Sequence, residues 1–358
     1  MPHAPAHATY PATALPCTGL WLYRLKKRLP MPIARLLRLL FDPFTLILIA
    51  VVLLATFLPA QGRAEHAFQW LTHAAIALLF FMHGAKLSRQ EVVAGITHWR
   101  LHLLVFACTF VLFPLLGLAL KPLVAPWIGA ELYLGVLYLC ALPATVQSAI
   151  AFTSLARGNI PAAICSAAAS SLIGIFITPL LVLWLIGAGS DSAPSTLDAI
   201  AKITQQLLIP FIAGQLARRW IGAWVARNRH WLKNVDQTSI LLVVYTAFSQ
   251  AVNQGLWAQV PAMSLLALLV FCCALLALVL MLVWMLGKAL GFNMEDRITI
   301  LFAASKKSLA TGVPMAQVLF ASQAIGSMLL PIMVFHQIQL MVCAVLAQHF
   351  AQRPGDQT

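Results

Sequence analysis

Charge is what this chain has least of. Of its 358 residues, 9% are Asp, Glu, Lys or Arg, while 61% are hydrophobic. A water-soluble domain carries about a quarter of its residues charged, so a soluble globular fold is excluded. Acidic residues are scarcer still, ten against 23 basic ones. Asp42, Glu65, Glu91, Glu131, Asp191, Asp198, Asp236, Glu295, Asp296 and Asp356 all fall between the apolar runs or at their ends. Clusters of Cys and His at metal-ligand spacing are also missing. The seven cysteines (Cys17, Cys108, Cys140, Cys165, Cys272, Cys273 and Cys343) are dispersed, and all but Cys17 stand inside apolar runs. That pattern excludes a zinc site and a disulfide framework, and reads as small core residues. Short alternating strands, which a transmembrane barrel needs, are absent as well. The apolar runs are continuous over about 20 residues, the length of a bilayer-spanning helix.

What is present is an all-α polytopic membrane protein, in which helices satisfy the backbone because lipid offers it no partner. Ten spans are read, over residues 43–60, 67–87, 100–121, 132–156, 160–186, 197–217, 238–257, 262–287, 297–321 and 324–348. With the N-terminus inside, Arg63, Lys121 and Lys202 are the only cations in outer loops, and eighteen of the 23 lie on the cytoplasmic side. The positive-inside rule gives that asymmetry for an even number of spans with both termini cytoplasmic, in a bacterial inner membrane or a plasma membrane. It also accounts for the formal charge of +13. The partner of the basic loops is therefore the lipid bilayer, and nucleic acid is not required. Residues 1–20, rich in Pro, Ala and His, read as a disordered tail. Residues 21–42 are basic on one side and apolar on the other. They read either as an amphipathic juxtamembrane segment on the anionic inner leaflet or as a flank that orients the first span.

The two remaining cations, Lys306 and Lys307, sit inside the ninth span. A charged side chain near the bilayer centre costs about 2.5–3.5 kcal/mol on insertion scales and by default marks function. The surrounding stretch, residues 303–316 (AASKKSLATGVPMA), carries Ser305, Ser308, Thr311, Gly312 and Pro314, a composition that breaks a helix. The fourth span has a comparable stretch, residues 142–158 (LPATVQSAIAFTSLARG). Interrupted apolar segments in corresponding halves point to a transporter binding site. Halving the chain after the fifth span gives two five-helix units, and an odd number of spans per unit makes such a repeat inverted. Both breaks read as lying near a proline, Pro143 and Pro314. Each broken span is followed by one with small residues ahead of an internal proline, Pro179 and Pro331, a pattern that lets helix backbones approach closely.

Residues 143–159 and 162–181 (AAICSAAASSLIGIFITPLL) resemble the bile acid:sodium symporter family, solute carrier family ten, and most closely its divergent branch around member seven. Asp42-Pro43-Phe44, Phe113-Pro114-Leu115-Leu116-Gly117 and residues 305–314 fit the same branch, so the resemblance covers about residues 40–350. It implies a transporter domain over residues 43–350. A core of helices 3–5 and 8–10 would work against a panel of helices 1, 2, 6 and 7, with broken helices 4 and 9 crossing in the core. In sodium-coupled members the crossing is lined by a Ser-Asn pair, a Glu, a Gln-Asn pair and a Gln. Those positions fall here at Gln147-Ser148 or Ser148-Ala149, at Phe302, at Lys306-Lys307 and at Thr109. Most oxygen ligands are gone. An ammonium about 4 Å from a monovalent cation repels it by roughly 4 kcal/mol at an effective dielectric of 20, so these residues argue against a sodium site.

The candidate substrate- or ion-binding residues are Thr109, Thr145, Gln147, Ser148, Ser305, Lys306, Lys307 and Ser308, with His336 as a proton relay. Three readings of the lysines stand side by side. One ammonium bonds carbonyls released by the broken helices, where the relatives hold a cation; a lysine handles a proton or an anionic substrate; or the side chains snorkel to an interface. Adjacent helical positions point about 100° apart, so the two lysines share one role only where the helix is unwound. The function expected is secondary transport of a small organic anion by alternating access. No cofactor is expected, and the coupling ion is a proton or sodium. A non-transporting membrane regulator is the alternative, and a Ser148–Lys306 dyad would make a hydrolase.

Overall fold

A computed structural model of the protein describes residues 43–86, 98–186, 204–320 and 325–353. The tail and basic segment expected over 1–42 lie outside them, as does the start of the sixth expected span. Asp42–Thr358 forms one compact unit. Its described residues are helical: α1 (Pro43–Phe57), α2 (Arg63–Lys86), α3 (Trp99–Ala107), a π-helical turn (Cys108–Leu112), α4 (Phe113–Ala119), α5 (Lys121–Ile128), α6 (Ala130–Ala141), α7 (Gln147–Leu155) and α8 (Ile160–Ile186). After a second π-helical turn (Thr204–Leu208) come α9 (Ile209–Arg227), α10 (Arg229–Asn253), α11 (Leu256–Gln259), α12 (Ala262–Ala289), α13 (Met294–Ala304), α14 (Leu309–Leu319) and α15 (Ile325–Ala351). Helices overlie each of the ten apolar runs. Four continuous stretches (Trp99–Ala119, Ile160–Ile186, Ala262–Ala289 and Ile325–Ala351) are long and apolar enough to cross a membrane. The fourth and ninth runs are each split in two, by residues 142–146 and 305–308.

Close backbone approach at small residues positions these helices. A Cβ on Gly84 would lie 2.0 Å from the Phe211 carbonyl oxygen, and one on Gly214 would lie 1.9 Å from that of Phe81. The α2–α9 contact is thus reciprocal and excludes any side chain at either position. Gly135 of α6 meets the Met328 backbone of α15 in the same way. Loop contacts group the helix ends. The turn after α7 touches the start of α13 through Asn159, whose Nδ2 donates to Asp296 Oδ1 at 2.8 Å. Arg353, beyond α15, donates to the carbonyls of Ala156 and Arg157. Lys86, ending α2, pairs with Asp236 of α10. Elsewhere Asn253 Nδ2 donates to the Ala60 carbonyl and Tyr245 to that of Leu58, tying the α1–α2 turn to α10. Asn159 caps α8: its Oδ1 accepts from the Ala162 N–H at 3.1 Å, with Pro161 in the first turn.

Candidate functional site: two helix breaks joined by lysine

α6 ends because Pro143 has no N–H to give the Leu139 carbonyl, and the chain turns extended at Leu142 (φ −69°, ψ 152°). A helix end leaves its last carbonyls without intrahelical donors. Here the last three, those of Leu139, Cys140 and Ala141, each find a donor. The Leu139 oxygen takes the Leu142 N–H at 3.2 Å, and the Ala141 oxygen takes the Thr178 hydroxyl of α8 at 2.9 Å. The Ala144 N–H, the ordinary helical donor for Cys140, goes instead to Ser170 Oγ at 3.0 Å. That frees the Cys140 oxygen, and both it and the Leu142 oxygen accept from Lys307 Nζ at 2.8 Å. The Pro143 oxygen accepts the Ser308 N–H at 2.9 Å, so the two breaks touch directly.

The third acceptor of Lys307 comes from the π-helical turn. Phe113 donates its N–H to Cys108, five residues back, rather than to Thr109. The next N–H that could reach Thr109 would belong to residue 114, which is proline. The Thr109 carbonyl is therefore free, and Lys307 Nζ donates to it at 2.8 Å. An ammonium has three N–H donors, and all three are used. The Phe113 ring lies 4.1 Å from the same nitrogen. The Thr109 hydroxyl turns back to the Val105 oxygen, so this residue enters the site through its main chain.

The second break differs from its sequence reading. α13 stops at Ala304, with the Ser305 hydroxyl bonded to the Leu301 oxygen at 2.6 Å. Helix resumes at Leu309, capped by Ser308, whose Oγ accepts from the Thr311 N–H. Pro314, taken above as part of the break, lies inside α14. Four residues of main chain, not the proline, make the interruption. It is pinned by Gln339 of α15, whose Oε1 accepts the Lys307 N–H and whose Nε2 donates to the Lys307 oxygen, both at 2.9 Å. Those two bonds fix which end of the amide is the donor, so His336 Nδ1, 2.9 Å from Nε2, accepts.

Lys306 points elsewhere. Both lysines are 0% exposed. Lys306 Nζ donates to the Ser148 carbonyl at 2.9 Å and lies 3.9 Å from the Phe152 ring centre and 5.3 Å from that of Phe302. Among the described residues no carboxylate meets either lysine, and the ion pair formed is Lys86–Asp236. Ser148 Oγ is bonded to Thr145 Oγ1 at 2.6 Å, so its hydroxyl does not make the Ser–Lys contact a dyad requires. Gln147 is exposed. Sequence reasoning gave Gln339, Thr178 and Tyr138 no part in the two breaks. Tyr138 joins α6 to α14 through the Gly312 carbonyl at 2.7 Å. Their one signal was a hydrogen-bonding group inside an apolar run.

The sequence model of the SBF-like CPA transporter family matches residues 42–352. The chain is 68% identical over 319 residues to the protein PA2026 of Pseudomonas aeruginosa, covering 89% of this chain and 96% of that one. It is 57% identical over 323 residues to YfeH of Escherichia coli, covering 89% and 95%. To sodium/bile acid cotransporter 7 of Danio rerio it is 30% identical over 309 residues, covering 84% and 91%. These matches, with helices apolar enough to cross a bilayer, make it a multi-pass membrane protein. The chain with these two lysine-joined helix breaks belongs to the SBF-like CPA transporter family, in the bile acid:sodium symporter group.

Proposed function

We propose that the protein is a secondary transporter of a small organic anion, and that the Lys307 ammonium fills the place where sodium-coupled relatives bind their ion. The observation that carries this reading is the set of three carbonyl oxygens 2.8 Å from Lys307 Nζ, supplied by a π-helical turn and a broken helix. Main-chain oxygens gathered at membrane depth are what a cation site offers, and here a side chain of the protein occupies it. A permanent occupant cannot be exchanged, so transport does not run on sodium. The solute is anionic because the crossing carries two buried ammonium groups and no carboxylate to balance them.

The remaining architecture follows the same reading. The chain has ten membrane helices in two inverted five-helix repeats, with a core (α3–α8 and α12–α15) moving against a panel (α1, α2, α9 and α10). Both termini face the cytoplasm of a bacterial inner membrane. The matching interruptions of the fourth and ninth runs and the close α2–α9 contact support that division. Thr109, Thr145, Gln147, Ser148, Ser305, Ser308 and His336 line or support the crossing. The test is uptake of radiolabelled organic anions into liposomes holding the purified protein. Uptake that persists when NaCl is replaced by KCl, and that Lys307→Gln abolishes, is the expected result. Thermal stability that rises steeply with NaCl and not with KCl would contradict it. Absence of uptake for every anion tried would favour a non-transporting membrane protein.

A further inference from the structure

The two lysines are adjacent in sequence and equally buried, yet their nitrogens are held in opposite ways. Lys307 Nζ spends three N–H groups on three carbonyls. Loss of one proton would leave a lone pair facing a carbonyl oxygen and strip that oxygen of its donor, opening the end of α6 or the π-helical turn. Lys306 Nζ makes one hydrogen bond, to Ser148 O in the first turn of α7, and otherwise rests on the faces of Phe152 and Phe302. An amine keeps an N–H for Ser148 and gives up only the attraction of the rings for a cation. No acceptor is orphaned, because a carbonyl within α7 also has its helical donor four residues on.

We infer that Lys306 is the residue that releases and rebinds a proton during the working cycle, while Lys307 stays charged throughout. This rests on the transport reading above and divides its two lysines between coupling and structure. The titratable groups facing Lys306 fit that division. From α15 come the Cys343 thiol, beside Ser305, and the His336 imidazole; from its own break comes Lys307. α7 carries no titratable side chain, and α13 presents Phe302. None of these is an anion that would hold the proton in place. An exit is also at hand. Phe152 and Ser148 are half-buried and Gln147 is exposed, so one turn of α7 separates the ammonium from accessible surface.

Reductive methylation of the full chain in detergent, with formaldehyde and an amine-borane followed by peptide mass spectrometry, tests this directly, since only an unprotonated amine attacks formaldehyde. At one pH, Lys306 should be methylated at least tenfold more than Lys307. Phe152→Ala, which uncovers the nitrogen, should raise the Lys306 yield further and leave Lys307 unchanged. Lys306→Met keeps an apolar side chain between the two rings and shows which signal belongs to which residue. Equal labelling, preference for Lys307, or no labelling at either overturns the inference. The order of labelling does not depend on any solute. Failure of uptake would remove the transport reading and leave this order standing, whereas equal labelling would remove the division and leave transport standing.

Discussion

Lys307 and Lys306 answer differently to the same substitution. Lys307→Met leaves three buried carbonyls without donors, each costing about 1–3 kcal/mol. The protein should lose roughly 3 kcal/mol or more, seen as a large fall in its unfolding temperature in detergent. Lys306→Met removes one hydrogen bond and a buried charge, and places a thioether between two aromatic rings. It should change stability by about 1 kcal/mol or less. A larger loss at 306 than at 307 would reverse the roles assigned to them. How much of this was legible depends on the kind of atom involved. Two cations inside an apolar run announce themselves, because lipid makes them costly. Main-chain acceptors do not: Thr109, Cys140 and Leu142 contribute carbonyls, which every residue has. Gln339 is a polar residue inside an apolar run, but its pairing with the Lys307 backbone depends on the rotation of α15, which apolar periodicity leaves open in a helix with little amphipathic contrast.

At the scale of elements, the breaks were read from the right stretches, with one proline misassigned. Pro143 stops α6 because it follows a helix whose next donor it removes. Pro314 stands six residues after Ser308, far enough inside α14 for the helix to form around it. Position relative to the cap decided between the two, and composition alone does not carry position. The π-helical turn was not legible at all. It adds one residue to a helical turn, which swings Phe113 toward the ammonium and leaves Thr109 without a donor. The break itself is braced by α8, where a Cβ on Gly174 would sit 2.5 Å from Pro143 Cβ. Gly174→Ala should therefore push the break out of place and cost about 1–3 kcal/mol. Gly222→Ala, whose nearest neighbour is the flexible Arg218 side chain at 3.3 Å, should be neutral or stabilising by up to about 1 kcal/mol. Parallel thermal unfolding of both variants checks the contrast.

At the scale of the molecule, the alternating access proposed above would require the proposed core to part from the proposed panel. One place where they are close is between α15 and α10: a Cβ on Gly326 would lie 2.2 Å from Ala251 Cβ. A cysteine pair at such positions comes within the span of a disulfide after a small backbone shift. Ala251→Cys with Gly326→Cys should cross-link under mild oxidation and stop uptake, and a reductant should restore it. Uptake that continues through the cross-link would place the moving boundary elsewhere. Hydrophobic content was sufficient to read an all-helical membrane protein. The packing partners were not readable, because they turn on glycines whose neighbours lie far away in the chain.

The absence of a carboxylate beside Lys307 among the described residues reaches beyond stability. A fixed charge carried by a moving core feels the membrane voltage, worth about 2.3 kcal/mol per elementary charge per 100 mV for a full traverse. On the proposed reading, an interior-negative cell would draw the empty carrier toward its cytoplasmic side, while a carrier holding a monovalent anion with Lys306 deprotonated would cross almost indifferent to the field. Potassium gradients with valinomycin should therefore alter the return of the empty carrier in liposomes, as the proposed reading requires if the electrical state of the cell, rather than its salt, resets this protein.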